Sequence, residues 1–155
     1  MAILWASLAG GFVGALVVVL GSDAAARVRL TRFDIPPLLG SALFARRIVA
    51  HAMGYGIHLF FGLGFAAAYG AAGVAGWGEG ALAGLVHGVL AVTVLFPVVL
   101  PLVHPRMALR GADDGALVEA PGMLVLAYGR WTPVLLLALH VVYGTIVGGF
   151  AGWAG

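Results

Sequence analysis

His58-Leu-Phe-Phe-Gly-Leu-Gly-Phe-Ala-Ala-Ala-Tyr-Gly70 is echoed near the C-terminal end by His140-Val-Val-Tyr-Gly-Thr-Ile-Val-Gly-Gly-Phe-Ala-Gly152. Each stretch opens on a histidine, follows it with an aromatic–glycine pair, and carries a small residue at every fourth position. Neither contains a formal charge. Each belongs to a longer apolar run, and four such runs occur, at residues 2–21, 51–73, 81–103 and 133–153. About 20 apolar residues in a helix cross a bilayer's hydrocarbon core. Backbone polar groups in lipid must be satisfied within the segment, so these runs predict helices. The alternation expected of an outer-membrane strand is absent.

Composition agrees. The 155 residues are 63% hydrophobic and 9% charged, far below the roughly 25% charge of a soluble domain. Lipid must therefore cover most of the surface. Cysteine is absent, which excludes disulfides, thiolate metal sites, iron–sulfur clusters and cysteine nucleophiles. The first run resembles a signal peptide in one respect, the Ala24-Ala25-Ala26 run behind it. No arginine precedes it and several follow at once, which reads as a retained helix.

All eight cations are arginines. Arg27, Arg29, Arg32, Arg46 and Arg47 fall between the first two runs, and Arg106, Arg110 and Arg130 between the last two. The positive-inside rule then places both long loops in the cytoplasm and both termini outside. The membrane is expected to be a prokaryotic inner membrane. Arginines so placed set topology, and no nucleic-acid partner is expected.

The long loops share a pattern. An acid (Asp34, Glu119) precedes proline, then a short apolar run, an aromatic and an arginine. The acid suits a helix N-terminus and the proline its first turn. A short interfacial or re-entrant helix is expected in each loop. The fold class is thus all-α: one polytopic membrane domain, 1–155, of four transmembrane helices in two parallel-repeat halves, 1–73 and 80–155.

Residues four apart share a helix face. Gly10 and Gly14, then Gly62 and Gly70, then Gly80, Gly84 and Gly88, and finally Gly144, Gly148 and Gly152 give every span a ridge for close helix packing. Within the chain or between subunits, such ridges replace the missing hydrophobic drive. Gly54 and Ala66 extend the second ridge.

His58 and His140 head two ridges, roughly 12 Å inside the arginine-bearing boundary at 1.5 Å per residue. Two roles are open for them. They can ligate a b-type haem or a metal ion across a helix contact. They can instead bond a carbonyl or hydroxyl of a facing helix. A proton or substrate path is a third use, weakened by the lack of any intramembrane acid or base beyond histidine. His87 enters from the other side and is expected about 10–15 Å from both along the membrane normal. His51 and His104 are expected to be wetted at the edge. Trp5, Trp77, Trp131 and Trp153 suit interfacial belts, and Tyr55, Phe61 and Tyr143 packing. Pro97 and Pro101 should kink the third helix. The run 111–115, Gly-Ala-Asp-Asp-Gly, lacks calcium-loop spacing and reads as a solvated turn. No hydrolase elbow, phosphate loop or dinucleotide fingerprint is present.

The His140-x-x-Tyr143-Gly144 element resembles small four-helix membrane proteins of bacteria and archaea that carry a histidine–aromatic–glycine element in matching spans. The resemblance implies their topology and carries no activity. The expected function is non-enzymatic: helix–helix association in lipid, as a homo-oligomer or an accessory subunit among other membrane subunits. The alternative is haem b or metal held by His58 and His140, and the third a small transporter or channel.

Overall fold

The computed structural model describes residues 1–108 and 118–155. Arg110 and the 111–115 turn lie outside those residues. Among the described residues four helices are long and apolar enough to cross a membrane: Ala2–Arg27, Arg47–Ala71, Trp77–Val103 and Thr132–Trp153. We label Ala2–Arg27 α1, Ile35–Ser41 α2, Arg47–Ala71 α3, Trp77–Leu90 α4, Leu100–Val103 α5 and Thr132–Trp153 α6.

The third span is not continuous α-helix. Ala91–Val99 is wound as a π-helix around Pro97, and α5 resumes before Pro101. Proline supplies no N–H and its ring crowds the preceding turn, so the ladder must widen or break. Here it widens and the helix runs on.

α2 forms where the first loop predicts a helix. Asp34 is its N-cap in extended backbone, and prolines occupy its first turn. It lies against α3 so closely that a Cβ on Gly54 would overlap the Pro36 carbonyl, and one on Gly40 the Ala50 carbonyl. The matching run of the second loop departs from its prediction. Glu119 caps no helix: it ends the two-residue strand Val118–Glu119, which pairs in parallel with Met107–Ala108. Met123–Tyr128 is then a 3₁₀ turn in which Leu124 and Val125 adopt φ of 53° and 61°. Left-handed backbone of that kind interrupts a helix, and β-branched residues resist it. Only Pro121 separates Ala120 from Gly122, at φ 66°, so no helical first turn is available there.

α1 is the central element, packed between α3 and α6, while α4 lies along α6. The ridges of the second and fourth spans therefore do not face one another. α3 sets its ridge against α1, and α6 sets its own against α4. Direct contact between α3 and α6 is sparse, and the Tyr143 hydroxyl bridges them by donating to the Gly62 carbonyl (2.5 Å). Phe33, fully buried, stacks edge-on against Phe96 (5.1 Å) and Tyr128 (5.4 Å), closing the arginine-bearing end of the core. Beside it the Thr31 and Thr132 hydroxyls share a hydrogen bond of 2.7 Å, tying the first long loop to the start of α6.

Candidate functional site

Both seams are ladders of small residues, and each ends at a histidine. On α1 and α3, Ser7 faces Gly70, Gly11 faces Ala66 and Ala15 faces Gly62. One turn further along α3 stands His58, whose Nε2–H donates to the Ala15 carbonyl (3.1 Å). On α4 and α6, Gly76 faces Gly152, Gly80 faces Gly148 and Gly84 faces Gly144. Backbones there are close enough for the Gly76 N–H to donate to the Gly148 carbonyl (2.7 Å) across the helix pair. One turn further along α6 stands His140, against Gly88. A Cβ on Gly88 would meet the His140 Cβ at 3.0 Å, so the backbones stay close at this rung and an imidazole has to lie beside the seam, not within it.

Beside the histidines is a cavity of about 310 Å³ between α3 and the third span, lined by His58, His87, His140, Phe61, Phe65 and Phe96 among a wall of aliphatic residues. That size lies at the lower end of the range for small-molecule sites, which are typically apolar with a few convergent polar groups.

His87 is the largest departure from expectation. Its ring lies 4.7 Å from that of His140, at 77°, and 3.9 Å from that of Phe65. The estimate of 10–15 Å assumed spans counted independently from their own boundaries. The ladder sets a different register: Gly88 meets His140, so His87 sits at the same depth. Antiparallel alignment of the 80–84–88 ridge with the 140–144–148 ridge contains this signal. Sequence reading took the two ridges separately and missed it.

Hydrogen bonds assign the imidazole tautomers. A carbonyl accepts only, so His58 carries its proton on Nε2 and His140 on Nδ1, which donates to the Leu136 carbonyl (2.6 Å). The Tyr69 hydroxyl and His87 Nδ1 share a hydrogen bond of 3.3 Å. His58 Nδ1 and His140 Nε2 remain bare acceptors. No buried side-chain nitrogen or oxygen among the described residues lacks a partner, so neither bare nitrogen is sealed in protein. Nor do the described residues place three or more His, Asp or Glu side chains together as a metal-holding group.

A second cavity, about 630 Å³, lies at the arginine-bearing end and is lined by Arg32, Asp34, Arg47, Arg106 and Tyr128 among others. Two of its guanidinium groups are engaged. Arg32 donates to the Ala127 carbonyl and pairs with Glu119 (3.3 Å); Arg106 donates to the Ser41 (2.5 Å) and Ala42 (3.3 Å) carbonyls. Burial pushes the Asp34 carboxyl up, against a smaller opposing pull from His51 and Arg47. Burial likewise pushes the Tyr128 phenol up to about 12. His104 is 4% exposed, not wetted at an edge. Its Nε2–H donates to the Leu38 carbonyl (3.0 Å) and its Nδ1 accepts from the Arg106 N–H (3.2 Å), locking α2 to the end of the third span. These groups hold the loops together.

Comparisons with protein-family models, with curated proteins and with solved structures return no match to this chain.

Proposed function

We propose that the chain is a non-enzymatic integral membrane protein that holds a molecule drawn from the bilayer in its imidazole-lined cavity. One observation carries this reading: two small-residue ladders both run up to a histidine, and imidazoles from three helices line one apolar cavity beside them. Helix packing alone does not call for a histidine at that rung, since another glycine would extend either seam. We read the arginine-bearing loops as cytoplasmic from the charge asymmetry of the sequence, and propose a prokaryotic inner membrane as their location.

Purification in mild detergent, solvent extraction and mass spectrometry test the reading, with an absorption spectrum taken first. A lipid-soluble compound should co-purify in a fixed ratio. It should be lost from Leu95→Trp, which fills the cavity from the π segment. Absence of any such compound, or its retention in Leu95→Trp, overturns the proposal. A Soret band abolished by His140→Ala would identify the occupant as haem b, ligated through the bare nitrogens of His58 and His140. A featureless spectrum counts against haem.

Association in lipid is a second reading, supported by a different face. The ten glycines of the four ridges lie against atoms of the same chain. Gly56 and Gly64 meet nothing within 4 Å, and Phe60 between them is 72% exposed. This face of α3 points away from α1 and is open to a second copy or another subunit. Native mass spectrometry of wild type and Gly56→Leu separates an oligomer built on this face from a monomer.

A further inference from the structure

We infer that the cavity selects its occupant by a hydroxyl head, taking membrane-soluble alcohols or hydroquinones in preference to their carbonyl or ether counterparts. The inference rests on the reading of the cavity as a binding site and names what it reads. Its basis is the polarity of the two bare nitrogens. The Ala15 carbonyl holds the His58 proton on Nε2, and the Leu136 carbonyl holds the His140 proton on Nδ1. Each ring thus turns a lone pair, not a proton, toward any partner beyond its own helix contact. An acceptor in apolar surroundings is stabilised by a donor and gains nothing from another acceptor. A hydroxyl supplies that donor; a quinone oxygen or an ether oxygen does not.

The remaining wall specifies the rest of the ligand. Phe61, Phe65 and Phe96 offer ring faces and edges, and the aliphatic residues of α2 and the π segment accept hydrocarbon. At about 310 Å³ the cavity suits a head group and the first part of a tail, the remainder lying in lipid. An aromatic diol presents two donors on a flat ring. A prenyl alcohol presents one donor on a branched chain. Both carry the chemistry the imidazoles recognise, and they differ in how well they meet the phenylalanines.

The test uses the full chain, delipidated and reconstituted in nanodiscs. Four probes are titrated: a decyl-substituted benzoquinol, its quinone, farnesol and farnesyl methyl ether. ¹⁵N-histidine spectra follow binding. The quinol should bind at least tenfold more tightly than the quinone, and farnesol at least tenfold more tightly than its ether; tenfold corresponds to about 1.4 kcal/mol. The bare-nitrogen resonances of His58 and His140 should move and their protonated nitrogens should not. Quinol ahead of farnesol would identify an aromatic head as the better fit, and farnesol ahead a prenyl one. In His140→Leu the preference for hydroxyl over carbonyl should shrink while the quinone still binds. Equal binding of both members of each pair overturns the hydroxyl inference and leaves the cavity as a binding site. Failure of all four probes, with wild-type spectra unchanged, removes the binding site itself. The wild-type ratios decide the matter even if the substituted chain does not fold.

Discussion

A methyl group on Gly144 should separate α4 from α6. A Cβ at that position would lie 2.7 Å from both the nitrogen and the Cα of Gly84, and would overlap the Gly80 carbonyl oxygen. All three are backbone atoms, so no side chain can swing aside. Ordinary contact begins near 3.4 Å, so relieving the Gly84 contacts alone takes about 0.7 Å of separation, and the Gly80 carbonyl demands more. A gap of 0.5–1 Å forfeits about a quarter to a half of the dispersion attraction of each atom pair it opens. The adjacent rungs at Gly80–Gly148 and Gly88–His140 share that loss. Overpacking costs about 1–3 kcal/mol in protein interiors, and Gly144→Ala belongs at the upper end because only rigid-body movement relieves it. Gly64→Ala is the control, since nothing lies within 4 Å of Gly64 and alanine is the better helix former. Unfolding by increasing SDS fraction in mixed micelles measures both. Gly144→Ala should unfold at a clearly lower SDS fraction than wild type, and Gly64→Ala at an equal or higher one. Indistinguishable curves for the two substitutions would mean that α4 and α6 do not meet at this rung, and the ladder argument would fail with it.

Tyr143→Phe removes the hydroxyl that bridges α6 to the Gly62 carbonyl of α3. It should cost about 0.6–1.7 kcal/mol in the same assay, the range for hydrogen bonds between membrane helices; an unchanged midpoint would show that the bridge contributes nothing. The raised Asp34 carboxyl means that the folded chain binds this proton more tightly than the unfolded chain. Its charged form therefore opposes folding at neutral pH, and stability rises as pH falls through the folded value. Asp34→Asn should be more stable than wild type at pH 7 and should lose that advantage on acidification; a constant advantage refutes the burial argument. For Tyr128, with its phenol pushed up to about 12, stability should hold below pH 10 and decline between pH 10 and 12, by about 1.4 kcal/mol per unit. The decline should be shallower in Tyr128→Phe, and parallel curves for the two chains would contradict it.

Much of this architecture is written locally along the chain. Apolar runs of bilayer length dictate the spans, because lipid leaves the backbone few alternatives. Asp34 and the prolines behind it dictate α2, since a fixed φ and a missing N–H suit a helix start. The second loop carries a similar acid and proline, yet Gly122 follows at once, and the backbone takes a left-handed path through Leu124 and Val125. A four-residue pattern could not weigh that glycine against the helix it interrupts.

The candidate site divides in the same way. Sequence alone determined that His58 and His140 each stand one turn beyond a small-residue ridge, because periodicity along a helix is a property of one segment. It could not determine which ridge meets which, since a run of glycines names a face and not a partner. Tertiary structure paired α3 with α1 and α6 with α4, and in doing so set the register that brought His87 level with His140. Such pairing depends on shape matched between segments far apart in the chain, where each ladder must find a surface equally free of side chains. The cavity shared by His58, His87 and His140 follows from that pairing.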